Sequence, residues 1–221
     1  MNITTTLHSW DESVALFEGR GLPEDSYQNL YEEEYDVHTG DLAVEGHFDL
    51  DAAEPDGTGY IVDGDLTVDG AILNLDDGCP ALIVLGDLRA AAVHLEGDAK
   101  LLVRGDVRVG AFVGHMTDKL VMISGDLRAQ VTILSSEFEP DLVGGTLYGP
   151  VLAPPYLAPD RDAPPVAPES VLVPEVLRAE GEDDHDELRG FDTPGVHGGR
   201  LLERVEAGLP VALGDAAATA R

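Results

Sequence analysis

The stretch Ile61-Val62-Asp63-Gly64-Asp65-Leu66-Thr67-Val68-Asp69-Gly70 decides the fold. Val62, Gly64, Leu66 and Val68 share one parity, and Asp63, Asp65, Thr67 and Asp69 the other. A period of two is the signature of a β-strand with one dry and one wet face. The same grammar recurs. Gly40-Asp41-Leu42, Gly64-Asp65-Leu66, Gly86-Asp87-Leu88, Gly105-Asp106-Val107 and Gly125-Asp126-Leu127 stand 24, 22, 19 and 20 residues apart, and a degenerate copy, Gly145-Thr146-Leu147, follows 20 residues on. The inward parity continues as Val84, Gly86, Leu88, Ala90, as Val103, Gly105, Val107, Val109, and as Ile123, Gly125, Leu127, Ala129. A second apolar run follows most copies: Ala71-Ile72-Leu73, Ala92-Val93-His94-Leu95, Ala111-Phe112-Val113 and Val131-Thr132-Ile133-Leu134.

A unit of about 20 residues cannot bury its apolar face alone, so the units must stack. Short strands, glycines at bends and no helical pattern between them predict an all-β chain, a parallel β-helix (β-solenoid) of about six coils over residues 40–149. Equivalent residues then lie about 4.8 Å apart. An antiparallel sandwich also uses short, regularly spaced strands, but it does not require the same tripeptide at each interval. The inward glycine is expected to allow a corner or a close coil-to-coil approach. The column Asp65, Asp87, Asp106, Asp126 would repel itself. Two readings address that cost: Arg89, Arg108 and Arg128 neutralise it from the same face, or each Asp caps its own turn through backbone N–H groups. Calcium in this ladder would need about six to eight oxygen ligands, and the adjacent arginines oppose it.

Residues 1–39 do not repeat and are expected to form an N-terminal cap. Ser9-Trp10-Asp11-Glu12 fits a capping box, which predicts a short helix through Phe17 covering the open end with Trp10, Val14, Leu16 or Phe17. Tyr27, Leu30, Tyr31 and Tyr35 are then threaded with Glu32, Glu33, Glu34 and Asp36. Because tyrosines anchor interfaces, Tyr27, Tyr31, Glu32, Glu33, Glu34 and Tyr35 are the candidate partner-binding residues. Residues 150–221 read as a Pro-rich, acidic extension. Eight of the fourteen prolines lie in 150–174, which forbids a sheet interior and predicts a linker or a wrap along the side. The acidic run 180–187 reads as solvated. Residues 199–208 predict one short helix with Leu201, Leu202 and Val205 on a face.

The chain has 221 residues, with 43 acids against 13 Lys and Arg and a formal charge of −30. That balance argues against a grip on nucleic-acid phosphates and against an anionic membrane surface. A hydrophobic fraction of 43% is too high for a wholly disordered acidic chain. The single cysteine, Cys79, excludes an intrachain disulfide framework and a multi-cysteine zinc site. The N-terminus has no basic region followed by an apolar one, and no run approaches the roughly 18 apolar residues of a spanning helix. A cytoplasmic protein is expected.

The histidines, His8, His38, His47, His94, His115, His185 and His197, show no His-x-x-x-His spacing. His115 with Asp118 is the nearest approach to an acid–base pair. Cys79 sits in the turn Asp77-Gly78-Cys79-Pro80, where flanking acids disfavour a reactive thiolate. There is no phosphate loop and no Gly-x-Ser-x-Gly elbow. No catalytic, cofactor or metal residue is assigned, and a non-enzymatic protein is expected.

The repeated Gly-Asp-Leu with alternating Val, Leu and Ile, as in residues 61–70 and 101–109, resembles the bactofilin-like, polymer-forming β-solenoid proteins of bacteria. The resemblance covers about residues 40–150. It implies a right-handed parallel β-helix, no nucleotide, no catalytic residues, and end-to-end assembly into filaments with Pro-rich tails. The many outward acids depart from that pattern. The N-terminal cap and the degenerate sixth coil would close both ends. The expected function is therefore binding of a basic protein partner, as by an immunity-type protein neutralising a basic intracellular toxin. The alternative is a bactofilin-like scaffold, a homo-oligomer that polymerises end to end. A third reading, mimicry of DNA by regularly spaced carboxylates, suits the charge but not the spacing, about 4.8 Å against about 3.4 Å.

Overall fold

The computed structural model describes residues 3–52, 55, 57–76, 78–116, 119–157, 166–179, 181–182 and 190–214. The chain opens with strand β1 (Thr6–His8), helix α1 (Trp10–Arg20) and the short helix α2 (Glu24–Tyr27). Six coils follow. They are formed by β2 (Tyr35–Thr39), β3 (Leu42–Val44) and β4 (Phe48–Asp49); β5 (Gly59–Asp63) and β6 (Leu66–Asn74); β7 (Ala81–Val84) and β8 (Leu88–Leu95); β9 (Lys100–Val103) and β10 (Val107–His115); β11 (Leu120–Ile123) and β12 (Leu127–Ser135); and β13 (Leu142–Val143), β14 (Leu147–Tyr148) and β15 (Val151–Leu152). The last helix is α3 (Gly198–Glu206).

The first strand of each coil joins one sheet, in the order β2-β5-β7-β9-β11-β13, and the long strands join a second, β6-β8-β10-β12, flanked by the short pieces of coils one and six. All coil-to-coil pairings are parallel. The repeat sets the register: Leu66, Leu88, Val107, Leu127 and Leu147 stand one above another. The fold is thus a parallel β-solenoid of about six turns, as the repeat predicts.

The Gly-Asp corner explains itself atom by atom. A Cβ on Gly64, Gly86, Gly105, Gly125 or Gly145 would land 2.5–2.9 Å from the carbonyl group of the glycine one coil earlier. Only a hydrogen fits there. The aspartates cap neither by arginine alone nor within their own turns. Asp41 accepts the backbone N–H of Asp65 (2.9 Å), Asp65 that of Asp87 (2.8 Å), Asp87 that of Asp106 (3.0 Å), Asp106 that of Asp126 (3.0 Å), and Asp126 that of Thr146 (2.8 Å). Each carboxylate thus binds the next coil. Arg108 and Arg128 add ion pairs to Asp106 (3.0 Å) and Asp126 (2.6 Å), and Arg89 lies 3.5 Å from Asp87. The N–H of Thr146, then Arg128, holds the Asp126 carboxyl below the usual carboxylate range.

Inside the coils Val62, Leu66, Val84, Leu88, Val107, Phe112, Ile123 and Leu127 are fully buried. The wet outer face expected of the strands is found beside the Gly-Asp corner, at Ala43, Thr67, Asp69, Arg89 and Ala91, and on the last coil. Over much of the rest both faces are covered. The first sheet turns Val37, Ile61, Ile83, Leu102 and Leu120 outward, where Phe17, Leu22, Tyr27 and Leu30 pack on them. Past an irregularity between Val68 and Ala71, the second sheet turns Leu73, Val113 and Ile133 outward beneath Val176, Phe191, Leu201 and Val205.

Two expectations about the flanks are corrected. The capping box is present, with Glu12 N–H donating to Ser9 Oγ and Ser9 N–H to Glu12, and Gly21 ends α1 in the left-handed region. Yet α1 lies on the flank of the first sheet rather than over the open end, because Phe17 packs with the outward column. The edge of the first coil is taken by β1, antiparallel to β2. The solenoid also begins at Tyr35, inside the segment read as a cap, and its sixth coil extends to Leu152. The described residues of 171–212 wrap along the second sheet, and α3 forms with Leu201 and Val205 buried; most of the acidic run 180–187 lies outside the described residues.

Candidate protein-binding surface

The N-terminal wrapper presents apolar residues to the first sheet and acids to solvent. Asp11, Glu12, Glu18, Glu24, Asp25, Glu32, Glu33 and Glu34 are all exposed. The one Arg or Lys in residues 3–34, Arg20, is held by a two-point ion pair to Asp63 (2.6 and 2.8 Å). This leaves an acidic plate over one flank of the solenoid.

The structure separates the candidate binding residues into two groups. Tyr27 and Tyr35 are buried, which corrects their assignment to the interface. Their rings pack with Trp10, 6.4 and 6.1 Å between centroids, and Tyr27 with Phe17 at 5.2 Å. The Tyr35 hydroxyl donates to Tyr31 O (2.9 Å), and burial, then the Glu33 charge, pushes its pKa up to about 12. Tyr31 remains on the surface, 46% exposed, with Lys100 Nζ 3.7 Å from its ring centroid and donating to Asn29 O. Glu32, Glu33 and Glu34 are exposed beside it, and Glu33 accepts the Thr58 hydroxyl proton (2.8 Å). Asp11, Glu12, Glu18, Glu24 and Asp25 were not among the sequence candidates. Their signal was the polar faces of two helices, α1 with Ser13 and Phe17 inward and α2 with Ser26 and Tyr27 inward.

No catalytic constellation forms among the described residues. His115 is buried at the end of β10, with its ring 5.3 Å from that of Phe191, and Asp118 lies outside the described residues. Cys79 is half-buried, and its hydrogen bond, then its charge, raises the Tyr31 hydroxyl. A groove of about 290 Å³ beside the second corner, lined by Ala91, Gly110, Gln130, Leu209, Pro210 and Val211 among others, has no ionisable side chain in its walls. Among the described residues no cluster of His, Cys, Asp or Glu could hold a metal ion. None of their helices is long and apolar enough to cross a membrane.

The last coil is a second surface of distinct character. Residues 142–157 carry no charge, in a chain where a quarter of the residues are charged. Leu142 and Tyr148 are 36% and 42% exposed on it. Thr146 stands where the earlier coils have Asp, so the ladder ends without a carboxylate. Comparison of the chain with known proteins finds no matching family model, no matching curated protein and no matching solved structure.

Proposed function

We propose that this protein is a non-enzymatic, acidic β-solenoid that binds a basic protein partner. The observation that carries the reading is the acidic plate: eight exposed carboxylates on the N-terminal wrapper, against a single arginine already committed to Asp63. Such a field speeds encounter with a basic surface and penalises acidic competitors. An immunity-type role, in which the plate covers the basic site of an intracellular toxin, suits a chain of this charge. The test is capture from the source cell with the full chain and with the triple variant Glu32→Lys, Glu33→Lys, Glu34→Lys. The native chain should retain a basic protein at low salt, inhibit it, and lose it at high salt. The variant should bind it at least about tenfold more weakly. No enrichment over an acidic polypeptide of equal charge would contradict the proposal.

The uncharged last coil favours a second reading, a bactofilin-like scaffold that associates end to end. Two chains of charge −30 repel one another, and an uncharged surface lowers that cost where they meet. A filament needs both ends, however, and at the other end β1 occupies the edge of the first sheet.

A further inference from the structure

Helix α3 and the segments around it lie against two histidines of the solenoid. His47, in the first coil, sits between the two bodies. Its Nδ1 accepts the N–H of Ala71 (2.9 Å), and its Nε2 donates to the carbonyl of Glu206, the last residue of α3 (2.9 Å). An amide N–H can only donate and a carbonyl can only accept, so the partners select one neutral tautomer. An imidazolium has two donors and no acceptor, so protonation turns the Ala71 contact into N–H against N–H. His94 lies beneath the strap. It is 1% exposed and occupies the outward column of β8, between Leu73 and Val113. That column packs against Phe191, Val196, Leu201 and Val205, and α3 contacts β8. Neither ring nitrogen of His94 has a hydrogen-bond partner.

We propose that α3 with its flanking residues 190–214 is an acid-releasable strap, clasped by His47 and resting on His94, which uncovers an apolar flank of the solenoid at mildly acidic pH.

The surrounding charges agree with release. Around His94 stand Glu96, whose carboxylate is 3.9 Å from Nε2 and beyond hydrogen-bond reach, His115 on β10, and Lys119. Burial, then His115 and Lys119, pushes the His94 pKa from 6.5 down to about 3. From the strap, the side chains over this column are apolar, and Arg200 and Arg204 bond elsewhere, to Leu177 O and Pro210 O. Around His47, Asp49 spends its carboxylate on the N–H groups of Asp51 and Ala52, and Glu45 is exposed. His197 acts in both directions: its Nδ1 caps α3 at Arg200 N–H (3.3 Å), while its Nε2 lies 3.8 Å from Glu182. The acidic clasps of the strap do not open in the same range. Burial raises Asp192, but hydrogen bonds from Tyr156, Ser136 N–H and Ser135 outweigh it and hold the carboxyl below its usual range. The Ala179 N–H, then Arg200, does the same for Glu182.

The sign follows from linkage. A depressed histidine favours the closed form above pH 6.5, and that preference is lost as pH falls from 6.5 toward 3. At pH 5.0, His94 alone weakens closure about 30-fold relative to pH 7.5, if it titrates normally once uncovered. The test is hydrogen exchange of the full chain at pH 7.5 and 5.0, compared as protection factors. Amides of α3 should lose protection at least about 30-fold while those of β10 and β12 stay protected. His47→Gln, which keeps an acceptor and a donor, combined with His94→Leu, which continues the Leu73–Val113 column, should remove the pH dependence. Unchanged α3 protection at pH 5.0, loss in step with β10 and β12, or release of the double variant at the same pH would each overturn the proposal. The native titration decides even if the variant fails to fold. None of these outcomes depends on a bound partner.

Discussion

Replacing Phe112 by alanine is expected to lower stability by about 3–5 kcal/mol, the range for an aromatic residue deleted from a rigid core. The ring is fully buried inside the fourth coil, between Val93 and Thr132 in the neighbouring coils, and it stacks on Phe138 at 6.4 Å. Backbone hydrogen bonds to the coils on either side hold the walls, so the cavity cannot collapse. For a chain of this size the change corresponds to a melting temperature lower by roughly 10–15 °C. Scanning calorimetry of the variant checks it, and a shift of only a few degrees would mean that the interior is loosely packed.

Gly105→Ala should be comparably damaging, although it adds only one methyl group. Its Cβ would lie 2.6 Å from Gly86 O and 2.8 Å from the carbonyl carbon. The obstacle is backbone, which cannot rotate away, so the coils must separate where Asp87 binds the N–H of Asp106. A loss of about 3 kcal/mol is expected, at the upper end of ordinary overpacking. Gly21→Ala is the contrast. There a Cβ meets nothing, and only the positive φ of 72° is strained, for about 1 kcal/mol. Equal losses in denaturant unfolding of the two variants would show that the glycine ladder is not a steric requirement.

The solenoid was legible because its evidence is periodic. Five copies of Gly-Asp-Leu or Gly-Asp-Val at intervals near 20 residues leave few other solutions, and Gly64, Gly86, Gly105 and Gly125 stack as the spacing implies. The use of the aspartates was half legible. Their column and the arginines could be read from parity, but a carboxylate reaching the next coil's N–H is a distance, not a pattern. A wrap along the side was one of two readings of the C-terminal extension, but the N-terminal helix was placed over the open end, and the reason lies in the strands. Leu82-Ile83-Val84-Leu85 and Leu101-Leu102-Val103 are continuous apolar runs, and such runs belong to strands buried on both faces. Their outer residues had to be covered by something, and residues 10–30, 171–177 and 191–212 supply it. Once that cover is needed, Tyr27 and Tyr35 become core residues rather than interface anchors. The acids of α1 and α2 were not read as binding residues because, in a chain with 43 acids, no single carboxylate stands out until the fold sets eight of them on one flank. His47 was unreadable, since its two partners, Ala71 and Glu206, lie 24 and 159 residues away.

The central claim is that this chain acts as a partner-binding solenoid rather than as a filament subunit. Size-exclusion chromatography with light scattering, at low and at high salt, tests it most directly. The account predicts the mass of one 23.4 kDa chain, or at most of two joined through the uncharged last coil, unchanged when salt screens the repulsion. Long rods that grow as salt is added would contradict it. They would make the last coil, and not the acidic plate, the working surface of the molecule.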